Sequence, residues 1–272
     1  MTSSIIEKKK ADFFDRGWCQ FEFDTRLSNW VRSALPAAQA SVHDENNKNW
    51  LRCGDTWFAG VNVLPNASDG SVDSEPRLAL KCDAVDFIAE ALGLSEFDWD
   101  KAQVSVCYPG YPQHMDAETE AAFNFRRDRD AAHVDGLLPE GENRRRFLRE
   151  WHGFILAIPM LEYDVGASPF VVWEGSQDIV REAFQAIFQD KDADDWPSID
   201  ITKIYHQVRR QVFRTCQRVE IYARPGEAYL VHRLALHGVA PWKAESNSMC
   251  KERMICYFRP ETSGIVQWLS NP

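Results

Sequence analysis

Two short stretches carry residue types that could do chemistry: Asp130-Ala131-Ala132-His133-Val134-Asp135-Gly136 and, about a hundred residues on, Leu236-His237-Gly238-Val239-Ala240-Pro241. On an extended strand, side chains alternate between faces, so His133 and Asp135 point one way and Val134 the other. One imidazole and one carboxylate then converge on a point. A second imidazole from His237 completes two nitrogens and one oxygen on one face of a metal ion, an arrangement that leaves three positions open and suits non-haem Fe(II) oxygen chemistry. His237 is preferred to His232 because it precedes Gly238, which permits close backbone approach, and stands at the start of a loop. His232 lies inside a strand and reads as a buried, hydrogen-bonded histidine.

An isolated His-x-Asp is a common accident, and its weight comes from its company. The later run Arg253-Met254-Ile255-Cys256-Tyr257-Phe258-Arg259 reads as a strand bearing arginine, whose planar guanidinium can hold a carboxylate through two parallel hydrogen bonds. The order His133-x-Asp135, then Ala167-Ser168-Pro169-Phe170-Val171-Val172-Trp173-Glu174-Gly175-Ser176-Gln177, then Pro225-Gly226-Glu227 leading to Leu236-His237-Gly238, then Arg253, resembles the Fe(II)- and 2-oxoglutarate-dependent dioxygenases of the phytanoyl-CoA dioxygenase-like type. In that family the middle segment usually ends in proline-glycine-serine-histidine, where this chain has Glu174-Gly175-Ser176-Gln177.

The resemblance covers about residues 100 to 260. It implies a double-stranded β-helix (jelly roll, cupin-like) core, Fe(II) bound by His133, Asp135 and His237, and 2-oxoglutarate gripped by Arg253, with Arg259 on the same strand face as second choice. It also implies oxidation, foremost hydroxylation, of a small organic molecule with release of succinate and CO2. Related iron halogenases replace the carboxylate ligand by a small residue; Asp135 is present, which favours hydroxylation. The spacing from His237 to Arg253 is longer than the family's, so 243–251 reads as an inserted loop. Two other classes share parts of this pattern. A metal-dependent cupin-like isomerase would use the same triad without Arg253, and a non-catalytic jelly-roll binding module would keep the shell without the metal.

The elements that must position these groups read as mainly β with flanking helices. Helices are expected at 4–16, stopped by Gly17, at 24–40, ended or bent by Pro36, and at 83–92. Strand-like runs fall at 18–23, 56–64, 103–108, 124–134, 153–161, 169–173, 218–223, 228–232 and 253–259, with helical insertions at 142–151, 179–189 and 200–216. The whole chain, 1–272, reads as one dioxygenase domain: a helical part, 1–100, packed on a β core with insertions, 101–262. If 124–134 is an unbroken strand, Arg127 and Arg129 share the parity of His133 and Asp135 and face the interior, where they would need an anionic substrate group; a bulge would instead turn them outward. His152 precedes the strand at 153–161 and is a further candidate for lining the cleft.

Composition narrows the partners. With 44% hydrophobic and 26% charged residues over 272 positions the chain is ordinary globular material, and its ten tryptophans and sixteen phenylalanines predict an aromatic-rich core. A net charge of −10 argues against a nucleic-acid surface. No apolar run is long enough to cross a bilayer, and the polar start around Lys8-Lys9-Lys10 is unlike an export signal, so a cytoplasmic protein is expected. The seven scattered cysteines lack any C-x-x-C pair, which fits reduced thiols. Phosphate-loop, dinucleotide, nucleophile-elbow and H-E-x-x-H patterns are all missing.

Overall fold

A computed structural model describes residues 3–116, 118–243, 250–261 and 264–271. Helix α1 (Ser3–Ala11) runs into a π-helical turn, Asp12–Arg16, stopped at Gly17, whose φ of 84° is the left-handed geometry that glycine adopts without strain. After β1 (Trp18–Phe21) comes α2 (Thr25–His43), capped by the Asp24 carboxylate accepting from the Arg26 N–H at 2.7 Å. Pro36 does not end the helix: α2 runs through it to His43. A proline inside a helix costs about 3 kcal/mol. Burial of Leu27, Trp30 and Val31 on this helix contributes about 1.5–3 kcal/mol each and outweighs that cost.

The remaining elements follow in order: β2 (Leu51–Arg52), β3 (Trp57–Phe58), α3 (Asp83–Ala91), β4 (Gln103–Cys107), α4 (Glu120–Asp128), β5 (Leu137–Glu140), β6 (Arg145–Leu148), β7 (Phe154–Pro159), β8 (Phe170–Trp173), α5 (Ser176–Phe188), α6 (Thr202–Thr215), β9 (Arg218–Ile221), β10 (Ala228–His232), β11 (His237–Val239), β12 (Arg253–Phe258) and α7 (Ile265–Ser270). They form a seven-stranded sheet, β1-β10-β7-β12-β4-β3-β2, a three-stranded sheet, β11-β8-β9, and the hairpin β5-β6. Every strand pairing is antiparallel.

Strand alternation divides the core into layers. Ile155, Ala157, Tyr229, Val231, Ile255 and Tyr257 of the large sheet meet Phe170, Val172 and Ile221 of the small one. The opposite-parity residues Leu156, Ile158, Leu230, Met254 and Phe258 pack outward on Trp30, Val31 and Ala34 of α2 and Phe87 and Ile88 of α3. On the far side of the small sheet, Val171 and Trp173 meet Phe184 of α5 and Tyr205, Val208 and Val212 of α6. The order is therefore helices, large sheet, small sheet, helices. Because β7 and β12 are buried on both faces, their sequences do not alternate: β7 is apolar throughout, and β12 is so but for Arg253.

Two local expectations are overturned. Residues 124–134 are not a strand: Glu120–Asp128 is helical, with good helix formers behind a Thr119 cap whose hydroxyl accepts from the Ala122 N–H at 3.3 Å. The insertion at 142–151 is not a helix either. It is the β5-β6 hairpin, turned at Gly141 and Arg144, which both take positive φ, and closed by the pairing of Leu137 with Leu148. Of the loop at 243–251, residues 244–249 lie outside the described residues. Among the described residues no helix is long and apolar enough to cross a membrane.

Candidate metal centre

The backbone between α4 and β5 makes the site. Asp130 and Ala131 take φ values of 55° and 52°, a conformation that costs an alanine free energy and persists only when its surroundings impose it. Two contacts impose it here. The Arg218 guanidinium donates to both oxygens of the Asp130 carboxylate, at 2.7 and 2.9 Å, and the Asp130 carbonyl accepts from the Val239 N–H at 3.0 Å. The chain then enters an isolated antiparallel bridge in which the His133 N–H donates to the His237 carbonyl at 2.8 Å and the His237 N–H to the His133 carbonyl at 3.0 Å. Gly238 allows this approach, since a Cβ there would stand 2.1 Å from the Asp130 carbonyl oxygen. Gly136, at φ 80°, is equally constrained: a Cβ would lie 2.0 Å from the Glu150 carbonyl oxygen.

The two imidazoles are oriented alike. His133 Nδ1 lies 3.0 Å from the Ala131 carbonyl and His237 Nδ1 lies 2.9 Å from the Ala235 carbonyl. A carbonyl can only accept, so each Nδ1 donates a proton there, which leaves Nε2 as the ring nitrogen that faces Asp135 and that a metal would take. Both Nε2 atoms face one oxygen of Asp135: Oδ1 is 3.2 Å from His133 and 3.6 Å from His237. Ligand atoms about 2.1 Å from a shared ion stand about 3 Å apart at right angles, so these spacings fit a metal. The group His133, Asp135 and His237, with donor atoms all within 4.8 Å of one another, could hold a metal ion.

Burial alone would raise the Asp135 carboxyl. The Arg259 guanidinium and the two histidines override it and hold the carboxyl well below the usual carboxylate range, so it is ionised. Arg259 Nη1 stands 3.4 Å from the other carboxylate oxygen, Oδ2. His237 is buried, its ring stacked on Phe170 at 5.3 Å and 11°, whereas the His133 side chain is 46% exposed, so the centre opens to solvent on that side.

Arg253 lies in the same space between the sheets. Phe170 touches His237 on one side and Tyr257 on the other (ring centroids 5.8 Å), and the Tyr257 hydroxyl accepts from Arg253 Nη2 at 2.8 Å. Arg253 is wholly buried, yet its Nε and Nη1 have no hydrogen-bond partner among the described residues. Burial pushes the neighbouring Cys107 thiol up to about 11 and also raises Tyr163, so neither is an anion at neutral pH. The guanidinium lies over the Tyr163 ring at 5.7 Å, but with open donors and no counter-anion among the described residues its burial is costly, and a carboxylate would relieve it.

The other candidates fall elsewhere. Arg127, on α4, pairs at the surface with Asp128 at 2.7 Å, and the Arg129 guanidinium lies over the Phe213 ring at 5.1 Å. Neither faces the interior, because the segment is helical, and the ground for an anionic substrate group goes with them. His152 Nε2 bonds Glu150 at 3.1 Å on the flank where the Glu150 backbone abuts Gly136. His232 is buried, with Nε2 at 3.0 Å from Arg181 and Nδ1 accepting from the Leu234 N–H. Sequence reasoning missed the Arg218 grip on Asp130 and the placing of Phe170 against His237. It also missed Ser176, whose hydroxyl accepts from the Leu236 N–H at 2.8 Å, one residue before His237. Tyr257 was within reach of it, being four residues after Arg253 on the same strand face.

No protein-family model matches the sequence, and no curated relative matches it. Solved structures do match nearly the whole chain. The non-heme alpha ketoglutarate dependent epimerase SnoN from nogalamycin biosynthesis, in complex with Fe3+, alpha ketoglutarate and nogalamycin RO, is 14% identical over 95% of this chain and 85% of its own, with a TM-score of 0.51. EctD from S. alaskensis with bound Fe is 14% identical over 96% and 77%, with a TM-score of 0.49. The alpha ketoglutarate dependent carbocyclase SnoK is 12% identical over 93% and 83%, with a TM-score of 0.47. At such identities the likeness to SnoN is one of fold.

Proposed function

We propose that this chain is an Fe(II)- and 2-oxoglutarate-dependent oxygenase with a double-stranded β-helix core. It would hydroxylate a small organic molecule and release succinate and CO2. The observation that carries the reading is Arg253: a buried guanidinium whose Nε and Nη1 have no hydrogen-bond partner among the described residues, in the same inter-sheet space as a two-histidine, one-carboxylate group. A cupin-like isomerase or a passive binding module has no use for such a clamp. The phytanoyl-CoA dioxygenase-like subgroup is proposed on the order of motifs alone.

His133 Nε2, His237 Nε2 and Asp135 would hold iron, and Arg253 would bind the distal carboxylate of 2-oxoglutarate through Nε and Nη1. Bound iron with this cosubstrate supplies the oxidising equivalents for C–H oxidation. The chain's own share is placement and exclusion. The Ala131 and Ala235 carbonyls fix both imidazoles, Arg218 fixes the turn that carries His133, and Phe170 walls the buried side. The half-exposed flank at His133 is where a small substrate would enter. Incubation of anaerobically loaded protein with Fe(II), 2-oxoglutarate, oxygen and a metabolite panel should yield succinate, and Asp135→Ala should not; equal turnover in the two proteins sinks the assignment.

A further inference from the structure

The two oxygens of Asp135 have different neighbours. Oδ1 faces His133 Nε2 and His237 Nε2 at 3.2 and 3.6 Å, while Oδ2 faces Arg259 Nη1 at 3.4 Å. Arg259 comes from a different part of the fold. It lies one residue past β12, its backbone N–H donates to Asp100 Oδ1 at 2.9 Å, its side chain is only 14% exposed, and its Nε is a buried donor without a partner among the described residues. The backbone is thus anchored and the guanidinium is held against the carboxylate from behind.

We propose that Arg259 is a positioning residue that reserves Oδ2 of Asp135, so that the carboxylate binds metal through Oδ1 alone. This rests on the metal-centre reading above. A carboxylate can ligate through one oxygen or two, and the choice decides how many sites remain on a six-coordinate ion. With two imidazoles and one oxygen, three positions stay open; a second carboxylate oxygen would take one of them. A chelating cosubstrate and dioxygen need all three. A cation at Oδ2 opposes the second bond twice over, by occupying the oxygen's lone pairs and by repelling a metal ion that swings toward it. Arginine suits the task because it keeps its charge when buried and spreads it over a plane.

The test uses Mn(II) as probe, in the full chain without cosubstrate, with water-proton relaxation reporting exchangeable waters on the bound ion. Wild type and Arg259→Lys should give the relaxivity of three open positions. Arg259→Met should lose about a third of it, because only two positions stay open, and regain wild-type coordination in no buffer that leaves the fold intact by circular dichroism. A wild type that binds Mn(II) while Arg259→Met matches it in relaxivity overturns the role of Arg259 and leaves the metal centre standing. A wild type that shows no Mn(II) binding that Asp135→Ala abolishes overturns the metal centre and this proposal together.

Discussion

His133 and His237, a hundred residues apart in the chain, bond to each other through their backbones in both directions, at 2.8 and 3.0 Å. The distance between the two imidazoles is therefore set by a backbone ladder and not by side-chain flexibility: their ring centroids stand 4.6 Å apart. The candidate ligands are preorganised, and perturbing the bridge should loosen all of them at once.

Gly238→Ala is the narrowest such perturbation. The added methyl would meet the Asp130 carbonyl oxygen at 2.1 Å, so the strand must move away from the turn that carries His133. Overpacking of this kind costs about 1–3 kcal/mol. A lower unfolding midpoint together with weaker metal binding is expected. A variant that unfolds like wild type and binds metal as tightly would show that the close approach is not what sets the site.

Arg253→Met should separate stability from cosubstrate binding. Replacing a buried charge that has no counter-anion among the described residues by an apolar side chain of similar length is expected to leave the ligand-free fold as stable or more so. Wild type should gain about 2.7 kcal/mol of stability at 2-oxoglutarate concentrations about a hundredfold above its dissociation constant. The variant should gain none. Thermal unfolding with and without 2-oxoglutarate and Mn(II) reads both effects, and a variant still stabilised by the diacid would remove Arg253 from the site.

Asp100 provides a pH signature outside the ligand set, joined to it through Arg259. Burial raises its carboxyl to about 6, against the opposing pull of the Arg259 N–H. The folded protein then holds this proton more tightly than the unfolded chain, so the group favours the fold below the ordinary carboxylate range and progressively disfavours it as pH rises toward 6. Asp100→Asn should be no more stable than wild type near pH 4 and gain relative stability between pH 4 and 7, measured by urea unfolding. A constant difference across that window would mean that Asp100 titrates normally.

How much of this was legible in the sequence depended on the range of the forces involved. His133-x-Asp135 and His237-Gly238 stood out because the chemistry is local in type and Gly238 announces a close approach. Strands β7, β10 and β12 showed as apolar runs because both their faces are buried. The segment at 124–134 misled because it was read as leading straight into His133-x-Asp135 on one strand, while Thr119 and the alanines Ala121 and Ala122 before it settle the matter as helix. The hairpin at Leu137–Leu148 was hidden by an arginine-rich stretch that reads equally well as helix until its partner strand is known. Arg218 on Asp130, Arg259 on Asp135 and Tyr257 on Arg253 are contacts between side chains that only the tertiary fold brings together.

Whether one ion is shared by His133, Asp135 and His237 beside a cosubstrate held by Arg253 is read by anaerobic titration of the protein with Fe(II) and 2-oxoglutarate, followed by absorption. Wild type should develop a charge-transfer band that saturates at one iron per chain, and Asp135→Ala and Arg253→Met should each lose it under the same conditions. A band of equal intensity in Asp135→Ala, or none in wild type, contradicts the account.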